Sequence, residues 1–460
     1  MKRWIIGMLA SLFFAFGVQA QTAAPKMNLP ECIQIALKQN PKIRNAQRQI
    51  SLAGSGVVSA RSTILPSLSG SASGSRINQG PRTFLQDVPI ARDSLGRIIY
   101  QQKEIVQNGY KRNSYNLGFS VNQILFDGGK WWNQIRQAKA SYRSQEWNYR
   151  ATRQDIILQV TQRYFELLKA LKLQDVYEKS LESNKEQFHK TQAMYEVGSV
   201  AQVDVFRAKV NLGQAQIKVI NQKNQVLIAK SNLNVVLGRR PNAALDIAQV
   251  DVPLEDFTGT LEDAKHMAMN NNPALHSLQE QIHSNNFAIK VARGDYLPTV
   301  SARAGYSRFN TLLDRVYSGW DKNYGWNMSL NVSWTIFNGF QREANLERQS
   351  LNYMISKENL HDQQRQLLQQ VEQAYLNLQA YKQIFQINNE NVKAAREDLR
   401  LAKERYRVGS GTLLEVIDAQ VALTQSEATL VSTKYDNLIA LVQLYNTMGL
   451  LEKKITRLLQ

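Results

Sequence analysis

The chain has 460 residues, a formal net charge of +18 and a single cysteine, Cys32. One thiol excludes an internal disulfide. Lys and Arg are scattered along the sequence without a compact basic cluster, which favours solvated helix faces over a nucleic-acid surface.

Residues 1–20 read as a secretory signal peptide: Lys2 and Arg3, an apolar stretch from Trp4 to Gly17, then the small-residue site Val18-Gln19-Ala20. The mature chain is expected to begin near Gln21, with a net charge of +16 once Lys2 and Arg3 are removed. Export leaves no expected role for nucleic acid. Beyond this segment no apolar run approaches the ~18 residues of a membrane helix.

The rest of the chain follows one plan twice. Asn40-Pro41 returns as Asn272-Pro273 and Leu65-Pro66 as Leu297-Pro298, both 232 positions later. Phe126-Asp127-Gly128 returns as Phe337-Asn338-Gly339, and Leu237-Gly238 as Met448-Gly449, both 211 positions later. The change of offset places 21 extra residues between positions 76 and 115 of the first copy. The expected first repeat is 21–260, with a linker at 239–260, and the second is 261–460 with a short C-terminal tail.

Each copy opens with a short helix, Pro30 to Gln39 and Leu261 to Asn271, ended at an Asn-Pro pair. A second helix follows, Pro41 to about Ser62 and Pro273 to about Gly294, with proline at its permitted first position. The period then switches from 3.6 to 2. Strand pairs are predicted at about 65–76 with 115–126, and about 297–309 with 325–337. Trp326, Met328, Leu330, Val332, Trp334 and Ile336 alternate with Asn327, Ser329, Asn331, Ser333 and Thr335. Segments of ~10 residues with one apolar and one small polar face suit a membrane β-barrel. A soluble sheet with one wet face would use the same alternation. Trp131, Trp132, Trp326 and Trp334 favour the membrane, because aromatic rings collect at its interfaces. Residues 76–114 read as a long loop carrying Pro81, Pro89 and an Asp93-Ser94-Leu95-Gly96 turn, as expected on the exterior side of an outer-membrane barrel.

A very long helical hairpin completes each copy, 131–238 and 341–449. Its outgoing helix, 131–196 or 341–406, would be about 100 Å long at 1.5 Å per residue. Ile156, Ile157, Val160, Tyr164, Leu167 and Leu171 mark an apolar stripe, repeated by Leu367, Leu368, Val371, Tyr375 and Leu378. The tips read Tyr195-Glu196-Val197-Gly198-Ser199 and Tyr406-Arg407-Val408-Gly409-Ser410, where glycine is expected in the left-handed conformation that closes a helix.

Four strands cannot close a barrel, and lipid-exposed edges would leave backbone groups unpaired at several kcal/mol each. The predicted class is therefore an α+β membrane protein that must oligomerise. Enzyme chemistry is not expected. The chain has no phosphate loop, zinc helix or nucleophile elbow, and its five histidines lack paired metal spacing. No cofactor or metal is predicted. The rival reading is a periplasmic coiled-coil adaptor, which also has long hairpins but not two alternating strand pairs.

The twofold plan, Asn-Pro pairs, Leu-Pro strand openings, Phe-Asp/Asn-Gly turns and Tyr-x-Val-Gly-Ser tips resemble the TolC-like outer membrane efflux proteins across essentially the whole mature chain. The resemblance implies a homotrimer in outer-membrane lipid, with a twelve-stranded barrel continued by a helical periplasmic tunnel. It implies a passive exit duct for efflux or type I secretion. A periplasmic adaptor and an inner-membrane transporter would dock at the tips Val197, Gly198, Ser199, Val408, Gly409 and Ser410. It further implies an acidic ring at the periplasmic entrance at Glu415 and Asp418, with Asp204 and Tyr406 as gate residues. Thr412-x-x-Glu415 also fits a capping box, so the glutamate has a local role open to it. Gly411 stands where the family often carries an arginine, a departure from its closed-state polar latch.

Overall fold

The computed structural model describes residues 26–248 and 256–456. The expected signal peptide and the middle of the linker lie outside the described residues. Two compact units are present. One contains residues up to 49, 146–276 and 361 onward, and the other contains 50–145 and 277–360. Each unit draws on both sequence repeats.

The first unit holds the short helices α1 (Leu29–Gln39), α5 (Leu261–Asn271) and α10 (Leu451–Thr456), and the return helices α4 (Gln202–Leu237) and α9 (Leu413–Thr447). It also holds most of the two unbroken 67-residue helices, α3 (Lys130–Glu196) and α8 (Gln341–Arg407). Helices α1 and α5 begin with the same device. Asn28 and Glu31 exchange hydrogen bonds of 2.9 Å in a capping box, and Thr260 and Asp263 form another.

The Asn-Pro pairs do more than stop a helix. The Asn40 N–H donates to Ala36 at the end of α1, and its Oδ1 accepts from Lys42 N–H at 2.8 Å. Its Nδ2 donates to the Val236 carbonyl at 2.7 Å, which ties in the end of α4. Asn272 repeats the arrangement with Ala268, Ala274 and Thr447. Gly238 (φ +79°) lies against this turn: a Cβ there would stand 2.8 Å from the Gln39 carbonyl carbon, so only glycine fits. Around these junctions the core is apolar. Ile33, Ala36, Ile156, Ile157, Val160, Leu167 and Leu237 are buried, and the Tyr164 hydroxyl donates to the Ala248 carbonyl at 2.9 Å.

The second unit carries the sheet, with parts of α2 (Pro41–Ser62), α3, α6 (Pro273–Gly294) and α8. Strands β1 (Ser67–Gln79), β4 (Tyr110–Phe126), β5 (Thr299–Asn310) and β6 (Tyr324–Ser333) form an antiparallel sheet in the order β1-β4-β5-β6. The register puts Leu68, Val121, Ala304 and Met328 side by side, and Gly70, Phe119, Tyr306 and Trp326 in the next row. The opposite face carries Ser69, Ser120, Gly305 and Asn327, then Ser73 and Asn116 further along.

Two expectations need correction. Residues 76–114 are not an irregular loop. They extend β1 and β4 and then form a separate ribbon, β2 (Arg82–Arg92) with β3 (Ile98–Gln107), around the Asp93–Gly96 turn. Gly80-Pro81 and Asn108-Gly109 interrupt the two strands at the same level, where Pro81 has no N–H for the ladder. The last strand also stops at Ser333 and not near 337. Its final partner is Thr299, and the preceding Pro298 cannot donate a further bond. The carbonyls of Thr335 and Ile336 are taken instead by the Arg342 guanidinium, at 2.6 and 2.8 Å. A short helix, α7 (Asp314–Tyr317), sits in the connection between β5 and β6.

Candidate functional site

Both tips close with the same backbone geometry. Ser199 N–H donates to Met194 and Gly198 N–H to Tyr195, each at 2.8 Å. Ser410 N–H donates to Arg405 at 2.9 Å and Gly409 N–H to Tyr406 at 3.2 Å. This is a Schellman closure, and Gly198 (φ +76°) and Gly409 (φ +79°) occupy the left-handed position it requires. Neither glycine has a heavy atom near its would-be Cβ, so the demand is for φ and not for space. Val197 and Val408 are exposed beside them, an apolar residue offered to solvent at each tip, and Ser199 and Ser410 are exposed as well.

The expected acid pair is divided by its surroundings. Glu415 lies 3.2 Å from the Arg405 guanidinium across the second tip. Its N–H donates to the Thr412 hydroxyl at 3.3 Å, which caps α9. Asp418, one turn on, is exposed and makes no hydrogen bond or ion pair among the described residues. Gly411 lies against the Arg405–Glu415 pair. A Cβ at this position would stand 2.9 Å from the Arg405 Cβ and 3.2 Å from a Glu415 carboxylate oxygen. A side chain there would crowd the Arg405 Cβ and press on the Glu415 carboxylate.

Tyr406 sits between the two hairpins. It packs against two buried apolar clusters, one that includes Leu399, Ala402 and Val416 and one formed by Ala208, Leu413 and Ile417. The hydroxyl donates to Met194 Sδ at 3.8 Å. Burial raises the phenol pKa above its ordinary value, with the Asp204 charge acting in the same direction and a Thr191 hydrogen bond opposing both. Tyr406 and Asp204 are thus brought together. Asp204 also lies 3.9 Å from the Arg207 guanidinium.

Sequence reasoning missed Arg405. Its only signal was a cation just before the tip tyrosine, ten positions from its acid and outside any local helical pairing pattern.

Three of the four tryptophans singled out above are exposed. Trp326 and Trp334 are about two-thirds exposed, at 69% and 60%, and Trp132 is exposed beside a half-buried Trp131, their rings in edge contact at 6.3 Å. Trp334 Nε1 donates to the Tyr296 carbonyl at 3.1 Å, anchoring the ring past the end of β6. Among the described residues no helix is long and apolar enough to cross a membrane, and no cluster of ligating side chains could hold a metal.

The family model described as outer membrane efflux protein matches residues 32–239 and 265–450. The chain is 24% identical over 447 residues to the outer membrane protein TolC of Salmonella enteritidis, covering 94% of this chain and 84% of that protein. It is 23% identical over 340 residues to the outer membrane efflux protein BepC of Brucella suis, covering 74% and 73%. The crystal structure of the Campylobacter jejuni CmeC outer membrane channel superposes with a TM-score of 0.77 at 20% identity, covering 94% of this chain and 89% of that one. The chain belongs to the outer membrane efflux protein family, whose members are channels of the Gram-negative outer membrane that work with efflux pump components and are not enzymes.

Proposed function

We propose that three copies of this chain close a twelve-stranded barrel in the outer membrane, continued by a helical periplasmic tunnel, as the passive exit duct of a tripartite efflux or type I secretion system. The observation that carries this reading is the two-faced sheet. One face is apolar from Leu68 across Val121 and Ala304 to Met328, and the other is built mainly of Ser, Asn and Gly, with Arg303 among them. The apolar face suits lipid and the small polar face suits a wet lumen. Strands β1 and β6 end the sheet with open edges, which in lipid would each cost several kcal/mol per unpaired group. Joining β6 of one copy to β1 of the next removes every edge.

The tips dock a periplasmic adaptor and, with it, an inner-membrane transporter. Exposed Val197 and Val408 beside rigid glycine turns offer the apolar anchor, with Ser199 and Ser410 as polar neighbours. Glu415 and Asp418 face the entrance, and Asp418 contributes its full charge because Arg405 offsets that of Glu415. Tyr406 packs the two hairpins together and, with the Asp204 charge acting on its hydroxyl, forms the gate.

Single-channel recording in planar bilayers tests the duct. The purified full chain should give stable open currents that favour cations. Absence of any conductance from correctly inserted protein would contradict the reading.

A further inference from the structure

A cavity of about 670 Å³ lies beside the passage from β6 into α8, lined by Lys130, Asp295, Arg342 and Arg348 among polar neighbours. Three cations against one carboxylate leave it a net charge of +2. The Lys130 ammonium is used by Asp295 at 2.9 Å. Arg342 is held by the two carbonyls beyond β6 and by the Tyr296 ring, whose centre is 4.9 Å from its guanidinium. Carbonyls position a guanidinium without neutralising it, and its Nε is buried with no acceptor. Arg348 donates to Asn345 Oδ1 at 2.7 Å. Neither arginine forms an ion pair among the described residues.

Thr299, Ser333 and Thr335 line the same cavity. Thr299 and Ser333 are directly paired on the Ser/Asn face of the sheet. Arg303 projects from that face four residues along β5 and is exposed, so the positive potential continues up the wall.

We propose that this cavity is a binding station for an anionic group, carboxylate or phosphate, on a solute passing through the lumen. The assignment rests on reading the Ser/Asn face as lumenal. Guanidinium groups match both anions in charge and in fork geometry. A concave polar wall with uncompensated positive charge raises the local concentration of anions. The preset Arg342 costs little reorganisation on binding, and the more exposed stem of Arg348 can follow the ligand.

The test is citrate added on the barrel side of single channels in phosphatidylcholine bilayers. Wild type should show reversible block, and Arg348→Gln should weaken it about tenfold. Arg348→Lys should retain an intermediate block, since charge survives without the fork. Replacing part of the lipid by phosphatidylglycerol should leave the block unchanged. Wild-type channels that conduct without citrate block, or Arg348→Gln channels blocked like wild type, overturn the proposal. Loss of block when phosphatidylglycerol is present assigns the cavity to a lipid headgroup and overturns the solute assignment. If the protein forms no channel, the lumenal reading fails separately. Calorimetric titration of the detergent-solubilised complex with citrate then decides the cavity, with the same tenfold loss in Arg348→Gln expected and equal binding overturning it.

Discussion

The Arg405 guanidinium lies 3.2 Å from the Glu415 carboxylate, across a turn in which Gly411 leaves room for no side chain. Both partners are substantially exposed, so the pair contributes at most about 1 kcal/mol to stability. Its larger effect is on the charge of the entrance. An acid already offset by a neighbouring cation attracts a passing ion far less than a free one.

The two acids of the proposed ring are therefore unequal. Block by multivalent cations from the periplasmic side should change little in Glu415→Gln, where glutamine can still cap α9. It should fall by most of its strength in Asp418→Asn. Single-channel titration of wild type, both variants and the double change checks this. Equal losses in the two single variants would contradict the inequality, and unaltered block in the double variant would remove both acids from the entrance.

The tip glycines carry a backbone demand. Valine at φ near +76° is strained by about 1–3 kcal/mol. Gly198→Val with Gly409→Val should abolish export in cells while the extracted complex keeps its size. Unchanged export would show that neither the turn nor docking at it is needed.

Asn40 and Asn272 hold three helix ends each, but unequally. The Nδ2 bond of Asn40 is 2.7 Å and that of Asn272 is 3.3 Å. Asn40→Ala should cost about 1–3 kcal/mol through a lost cap and an unpaired carbonyl, and Asn272→Ala less. Thermal unfolding of the two variants, followed by helical circular dichroism, gives the order.

Much of this was legible because the sequence patterns were strong. The Asn-Pro pairs, the tip glycines and the alternation from Trp326 to Val332 each admit few structures. The β2–β3 ribbon was not legible. Phe84-Leu85 and Ile98-Ile99-Tyr100 place apolar residues side by side, and Pro89 stands within the strand, so the period of two is lost. The end of β6 was misread for the opposite reason. Alternation runs on through Trp334 and Ile336, while the partner strand has already ended at Pro298. Arg405 escaped notice because its acid is reached only through the turn.

Cys32 is fully buried in α1, and burial, with the Glu31 charge behind it, pushes its thiol pKa up to about 12. Folding therefore favours the protonated thiol. The stability this contributes is complete below the unfolded pKa and is lost as pH rises through about 12. At pH 8 the native complex should resist maleimide for hours, whereas the denatured chain should label at once. Rapid labelling of the folded protein would contradict the packing of α1.

The central claim is that the four-stranded sheet exists only as a third of a closed barrel. Native mass measurement of the complex extracted in mild detergent tests it most directly. The account predicts three mature chains, about three times the mass of one. A folded monomer or a stable dimer would leave sheet edges open to lipid and would contradict it.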